Sequence, residues 1–196
     1  MNAEPAKFAV RLSDHRWTIV AGLAGVALSL ALLPLPASAF AAALAALAIF
    51  IAAVDIELLI IPDLANAAIF ALGLVLTLIE APRGGYAEAV LDALLRAAAA
   101  GGLLFLLRLA YARRTGVIGL GLGDIKLAAA GAPFLPWQTL PLALALAAGA
   151  GILVVVTRMV VRRESIDRRL ELPFGAFLAP AIWLAFVLDR IGLFAA

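Results

Sequence analysis

Apolar residues run along this chain in long blocks, and prolines, glycines and basic residues separate the blocks. Each block approaches the ~20 residues that a helix needs to cross a bilayer. The first runs from about Trp17 to Leu35 and is ended by Pro34 and Pro36. The second runs from Phe40 to Ile61, where Pro62 ends it because proline lacks the N–H an interior position requires. The third covers Leu64 to Ile79 and stops before a turn holding Pro82, Gly84 and Gly85. A fourth spans Ala89 to Ala110 and contains six small residues in a row, Ala97–Gly102, which allow close approach of a neighbouring helix. A short fifth, Asp124 to Leu135, precedes a turn with Pro136 and Pro141. The sixth runs from Leu140 to Val161 and the seventh from Phe174 to Ile191. The pattern predicts six to eight helices, and seven is the reading taken. None of the blocks alternates with a period of two, as the strands of a membrane barrel would.

Composition sharpens this. Of 196 residues, 66% are hydrophobic and only 14% charged. A soluble domain has about a quarter charged residues and could not hide so much apolar surface. Zero Cys excludes a disulfide scaffold. With a single histidine, His15, no structural zinc site or His-based nucleophile triad is expected. The expected fold is an all-α polytopic membrane helix bundle, one domain over residues 1–196, with residues 1–16 as a cytoplasmic tail.

Charge sets the expected orientation. Lys7, Arg11 and Arg16 precede the first block; Arg108, Arg113, Arg114 and Lys126 flank the fourth and fifth; Arg158, Arg162, Arg163, Arg168 and Arg169 follow the sixth. With seven crossings, these twelve of the fifteen basic residues fall on one side, which the positive-inside rule makes cytoplasmic. The pI near 9.5 then reports topology rather than a nucleic-acid partner. Ala37-Ser38-Ala39 after the first block has the outline of a signal-peptidase site, but an uncleaved first crossing is the reading taken.

Against this background the acidic residues stand out, since carboxylates in membrane helices are costly and usually functional. Asp55 lies within an apolar run and cannot be a cap; Asp63 follows Pro62 and is read as an N-cap. Asp124 opens the fifth helix after Gly119-Leu120-Gly121-Leu122-Gly123, whose glycines leave the backbone permissive and open to close approach. No βαβ unit surrounds those glycines, so they do not form a dinucleotide loop. The topology brings Asp55 and Asp124 to one side at similar depth. Two neighbouring carboxylates share a proton, so one can activate water while the other polarises a carbonyl. That chemistry needs no metal or cofactor. Asp92 and Arg96, at i and i+4, would suit a proton relay in a transporter; an intrahelical ion pair near the outer surface is preferred.

Asp55-x7-Asp63 with Ile61-Pro62-Asp63, Gly121-Leu122-Gly123-Asp124-Ile125-Lys126, and Leu172-Pro173-Phe174-Gly175 together resemble the type IV prepilin peptidases, intramembrane aspartyl proteases of the GxGD class. The resemblance covers most of the chain from the second helix onward. It implies that Asp55 and Asp124 are the catalytic pair and that Gly121, Gly123, Asp63 and Lys126 support the loop. It also suggests Glu57, Pro173, Phe174 and Gly175 as substrate-site positions. It implies an enzyme of the bacterial plasma membrane that removes the basic leader of prepilins or pseudopilins after a glycine, at the cytoplasmic face. Long family members carry a cytoplasmic Cys-x-x-Cys insert associated with N-methylation. This Cys-free sequence resembles the short form that processes Flp-type pilins of Tad systems, and methyltransferase activity is not expected. An archaeal preflagellin-type peptidase, a carboxylate-relay transporter and a non-catalytic scaffold are the competing readings.

Overall fold

A computed structural model describes residues 15–162 and 172–193. Of the basic residues used to orient the chain, Lys7, Arg11, Arg163, Arg168 and Arg169 lie outside the described residues. All regular structure among the described residues is helical: α1 (His15–Leu32), α2 (Ala37–Leu58), α3 (Asp63–Glu80), α4 (Tyr86–Thr115), α5 (Leu122–Gly131), a 3-10 turn (Ala132–Phe134), α6 (Leu140–Arg162) and α7 (Gly175–Arg190). Four of these helices, α2, α3, α4 and α6, are long and apolar enough to cross a membrane. The protein is a multi-pass membrane protein.

The seven helices match the seven expected, with shifted ends. α2 stops three residues earlier than Pro62 alone suggested, because Leu59 turns into the left-handed region at φ 55°. α4 is longer than expected at 30 residues. The fifth helix gives way to the 3-10 turn at Ala132 rather than continuing to Leu135.

Small residues make the packing possible. On α2, Ala41, Leu44, Ala45, Ala48, Ile51 and Ala52 are buried, a stripe at three- and four-residue spacing, and Asp55 is its next member. On α5, Asp124, Leu127, Ala128 and Gly131 form a second such stripe. α2 packs between α1 and α7, and α5 sits among α3, α4 and α7. Gly131 lets α5 meet α7 closely, since a Cβ there would lie 2.6 Å from Ile182 Cδ1. The same periodicity that buries alanines therefore points both aspartates inward.

The two ends of the bundle differ. At one, the end of α2 meets the start of α7, and Ile61, in the link from α2 to α3, lies against Gly123 at the start of α5. At the other, Arg190 pairs with Glu80 at 2.6 Å and Thr139 donates to Asp189 at 2.7 Å. At that second end Arg96 and Asp92 form the expected intrahelical ion pair, 3.0 Å apart. Arg96 also donates to the Leu135 carbonyl and Trp137 donates to Asp92 at 2.8 Å, so the pair ties α4 to the turn before α6.

Candidate active site

Asp55 and Asp124 are buried, 4% and 8% exposed, where α2, α5 and α7 converge. Asp55 Oδ2 accepts the Ala176 N–H at 2.9 Å across 121 residues of sequence. The first N–H groups of a helix have no intrahelical partner, and the helix dipole favours an anion beside them. Asp55 thus caps α7 from a different helix. Asp124 is the third residue of α5, and its Oδ2 accepts the Gly121 N–H at 3.2 Å, holding the first turn closed. Gly175, at the start of α7, lies directly beside Asp55.

Ile61 wedges the three segments together. A Cβ on Gly123 would lie 3.2 Å from Ile61 Cβ, and one on Gly175 would collide with Ile61 Cδ1 and come 3.0 Å from Asp55 Oδ2. A Cβ on Gly121 would come 2.9 Å from Asp124 Oδ2. The glycines therefore clear space for the carboxylates and for Ile61. This corrects the expectation of a permissive backbone: among the described residues only Gly84, Gly116 and Gly192 are glycines with positive φ. The groups that approach Gly121 and Gly123 are this chain's own side chains, Asp124 and Ile61.

The family comparison bears directly on this cluster. The type IV leader peptidase family model matches residues 42–156, a stretch that contains both aspartates and the glycines before Asp124. The chain belongs to the type IV leader peptidase family. Relatives named prepilin leader peptidase/N-methyltransferase match over most of the chain. The one from Aeromonas hydrophila is 29% identical over 85% of this chain and 55% of its own. That from Pectobacterium carotovorum subsp. carotovorum is 33% identical over 82% of this chain and 55% of its own. A protein of the same name from Pseudomonas putida is 44% identical over a shorter stretch, 36% of this chain and 24% of its own. The chain spans about half the length of the curated relatives it matches at length. No solved structure gives a significant match.

Within this leader-peptidase fold, the residues singled out in the sequence separate into three groups. Asp55, Asp124, Gly121, Gly123 and Gly175 come together. Pro173 is buried and Phe174 packs on the core, so they fix where α7 starts, and Gly175 alone of the three borders a carboxylate. Glu57 is exposed, two residues beyond Asp55 on α2. Asp63 is not an N-cap: Pro62 occupies the cap position with ψ 127°, and no side-chain cap bond forms. Asp63 instead pairs with Lys126 at 2.8 Å on the exposed surface.

Two contributors escaped the sequence reading. Ile61 belongs to the Ile61-Pro62-Asp63 segment of the resemblance, but nothing local marks it as a wedge. Arg108 was counted only for topology, yet it donates to the Leu120 carbonyl and anchors the glycine segment to α4. Its position in an apolar helix was the available signal.

Proposed function

We propose that this protein is an intramembrane aspartyl endopeptidase that removes the short leader of type IV prepilins or pseudopilins, with Asp55 and Asp124 as its catalytic pair. The observation that carries the proposal is the burial of these two carboxylates, 69 residues apart in sequence, at one junction of helix ends inside the family-matched stretch.

In the proposed reaction the pair holds one proton. The ionised carboxylate takes a proton from a water molecule, and the protonated one donates a hydrogen bond to the scissile carbonyl oxygen. The water oxygen bonds to the carbonyl carbon. The C–N bond then breaks as the leaving nitrogen receives a proton from the pair. Gly121 and Gly175 leave room for the carboxylates, while the Gly121 and Ala176 amides hold them in place. A glycine before the scissile bond suits this site, because helix residues must unwind to present that carbonyl and glycine costs least to unwind.

The basic ends of α4 and α6, with Arg113, Arg114, Arg158 and Arg162, and the start of α5 with Lys126 lie toward the carboxylate end of the bundle. This supports a cytoplasmic active site and N-terminus in a bacterial inner membrane. The test is co-expression with a Flp-type prepilin. Wild type should convert the prepilin to a faster-migrating form, and Asp124→Asn should leave it unprocessed at equal membrane levels. Normal processing by Asp124→Asn would reject the proposal.

A further inference from the structure

A groove of about 350 Å³ opens between α3 and α5, lined on α5 by residues that follow Asp124. Asp63 and Lys126 stand at its mouth, and Ala67, Phe70 and Ala129 form its walls. Asn66 lines it and is 6% exposed, yet neither its amide nitrogen nor its amide oxygen has a hydrogen-bond partner among the described residues. A buried polar group without a partner is costly, so Asn66 calls for a partner that the described chain does not itself supply. A carboxamide here presents a donor and an acceptor side by side. A peptide main chain complements both together, because it offers a C=O and an N–H at matching spacing. A lipid ester offers acceptors alone.

We infer that the α3–α5 groove binds an extended stretch of the polypeptide substrate, with Asn66 pairing to its main chain. This rests on the peptidase reading. Asp124 and Lys126 are two residues apart on α5 and so project to opposite sides of its first turn. A chain passing from the carboxylates to the groove crosses the start of α5, at Gly121 and Gly123. Crossing a helix ~10 Å wide takes about three extended residues at ~3.4 Å each. Asn66 therefore meets the substrate about three residues from the cleaved bond, and it acts as a positioning residue.

Two measurements test this. The first is kinetic. Asn66→Leu keeps the side-chain size and removes both hydrogen bonds, so KM for a prepilin should rise about tenfold with kcat nearly unchanged. Thermal stability should hold or increase, because a buried unpaired amide is gone. An unchanged KM would mean that water or lipid satisfies Asn66 and would overturn the inference. So would a joint fall in kcat and melting temperature, which marks a purely structural role. The second is cross-linking, which needs no turnover. The chain has no Cys, so Ala67→Cys in an Asp124→Asn background gives one reactive thiol in the groove. A prepilin carrying single cysteines at successive positions should cross-link most strongly about three residues from the cleaved bond. Absence of such a maximum, with wild-type protein cleaving normally, rejects the groove and leaves the peptidase reading intact. Absence of cleavage by wild type rejects the peptidase reading, while the cross-link still reports on the groove.

Discussion

Gly175→Ala is the sharpest perturbation the structure offers. The new Cβ would collide with Ile61 Cδ1 and lie 3.0 Å from both Ile61 Cγ1 and Asp55 Oδ2. Ordinary contact begins near 3.4 Å, so the Asp55 carboxylate must retreat by about 0.4 Å while Ile61 changes rotamer. A displacement of ~1 Å at a reacting centre can cost ~100-fold in rate, so a loss of about 10- to 100-fold is expected. Overpacking of this kind costs about 1–3 kcal/mol of stability. The assay is the rate of prepilin conversion by purified protein, with Gly149→Ala as control because a Cβ there meets nothing within 4 Å. Adding Ile61→Val removes Cδ1, the colliding atom, and should recover part of the rate; the carboxylate contact remains, so recovery stays incomplete. Wild-type turnover by Gly175→Ala would show that the clearance around Asp55 is irrelevant to catalysis.

The other expectations follow the same geometry. Gly121→Ala pushes directly on Asp124 Oδ2 at 2.9 Å and should slow conversion at least as much as Gly123→Ala, whose Cβ meets Ile61 Cβ at 3.2 Å; the reverse order in the same assay would contradict this. Asp63→Asn breaks an exposed ion pair with Lys126, so thermal unfolding in detergent should show a loss of no more than ~1 kcal/mol. Asp92→Ala removes the partner of both buried Arg96 and Trp137 and should cost about 1–3 kcal/mol in the same measurement, with cleavage retained at low temperature.

Much of the bundle was legible because its signals are local. Apolar runs and prolines marked the helices, and Asp55 and Asp124 stood out as carboxylates in apolar or glycine-framed settings. What the sequence hid was long-range or conformational. Nothing near Asp55 indicates that its oxygen meets an amide 121 residues away. The early end of α2 depends on Leu59 adopting a left-handed conformation that Leu rarely takes, so the proline was credited with a stop made three residues before it. Asp63 looked like a cap because it follows a proline and precedes an apolar run, and only the backbone shows Pro62 already in that place. The glycines before Asp124 signal close approach in the sequence, but that Gly123 makes room for Ile61, 62 residues away, leaves no local trace.

The central claim is that Asp55 and Asp124 act as one unit on a peptide bond. It is tested most directly by turnover of a purified prepilin by Asp55→Asn, Asp124→Asn and the double variant in proteoliposomes. Groups that act together lose their function together, so each single variant should lose about 10³-fold or more and the double should lose no further. Near-normal turnover by either single variant, or losses that multiply in the double, would contradict a shared catalytic pair.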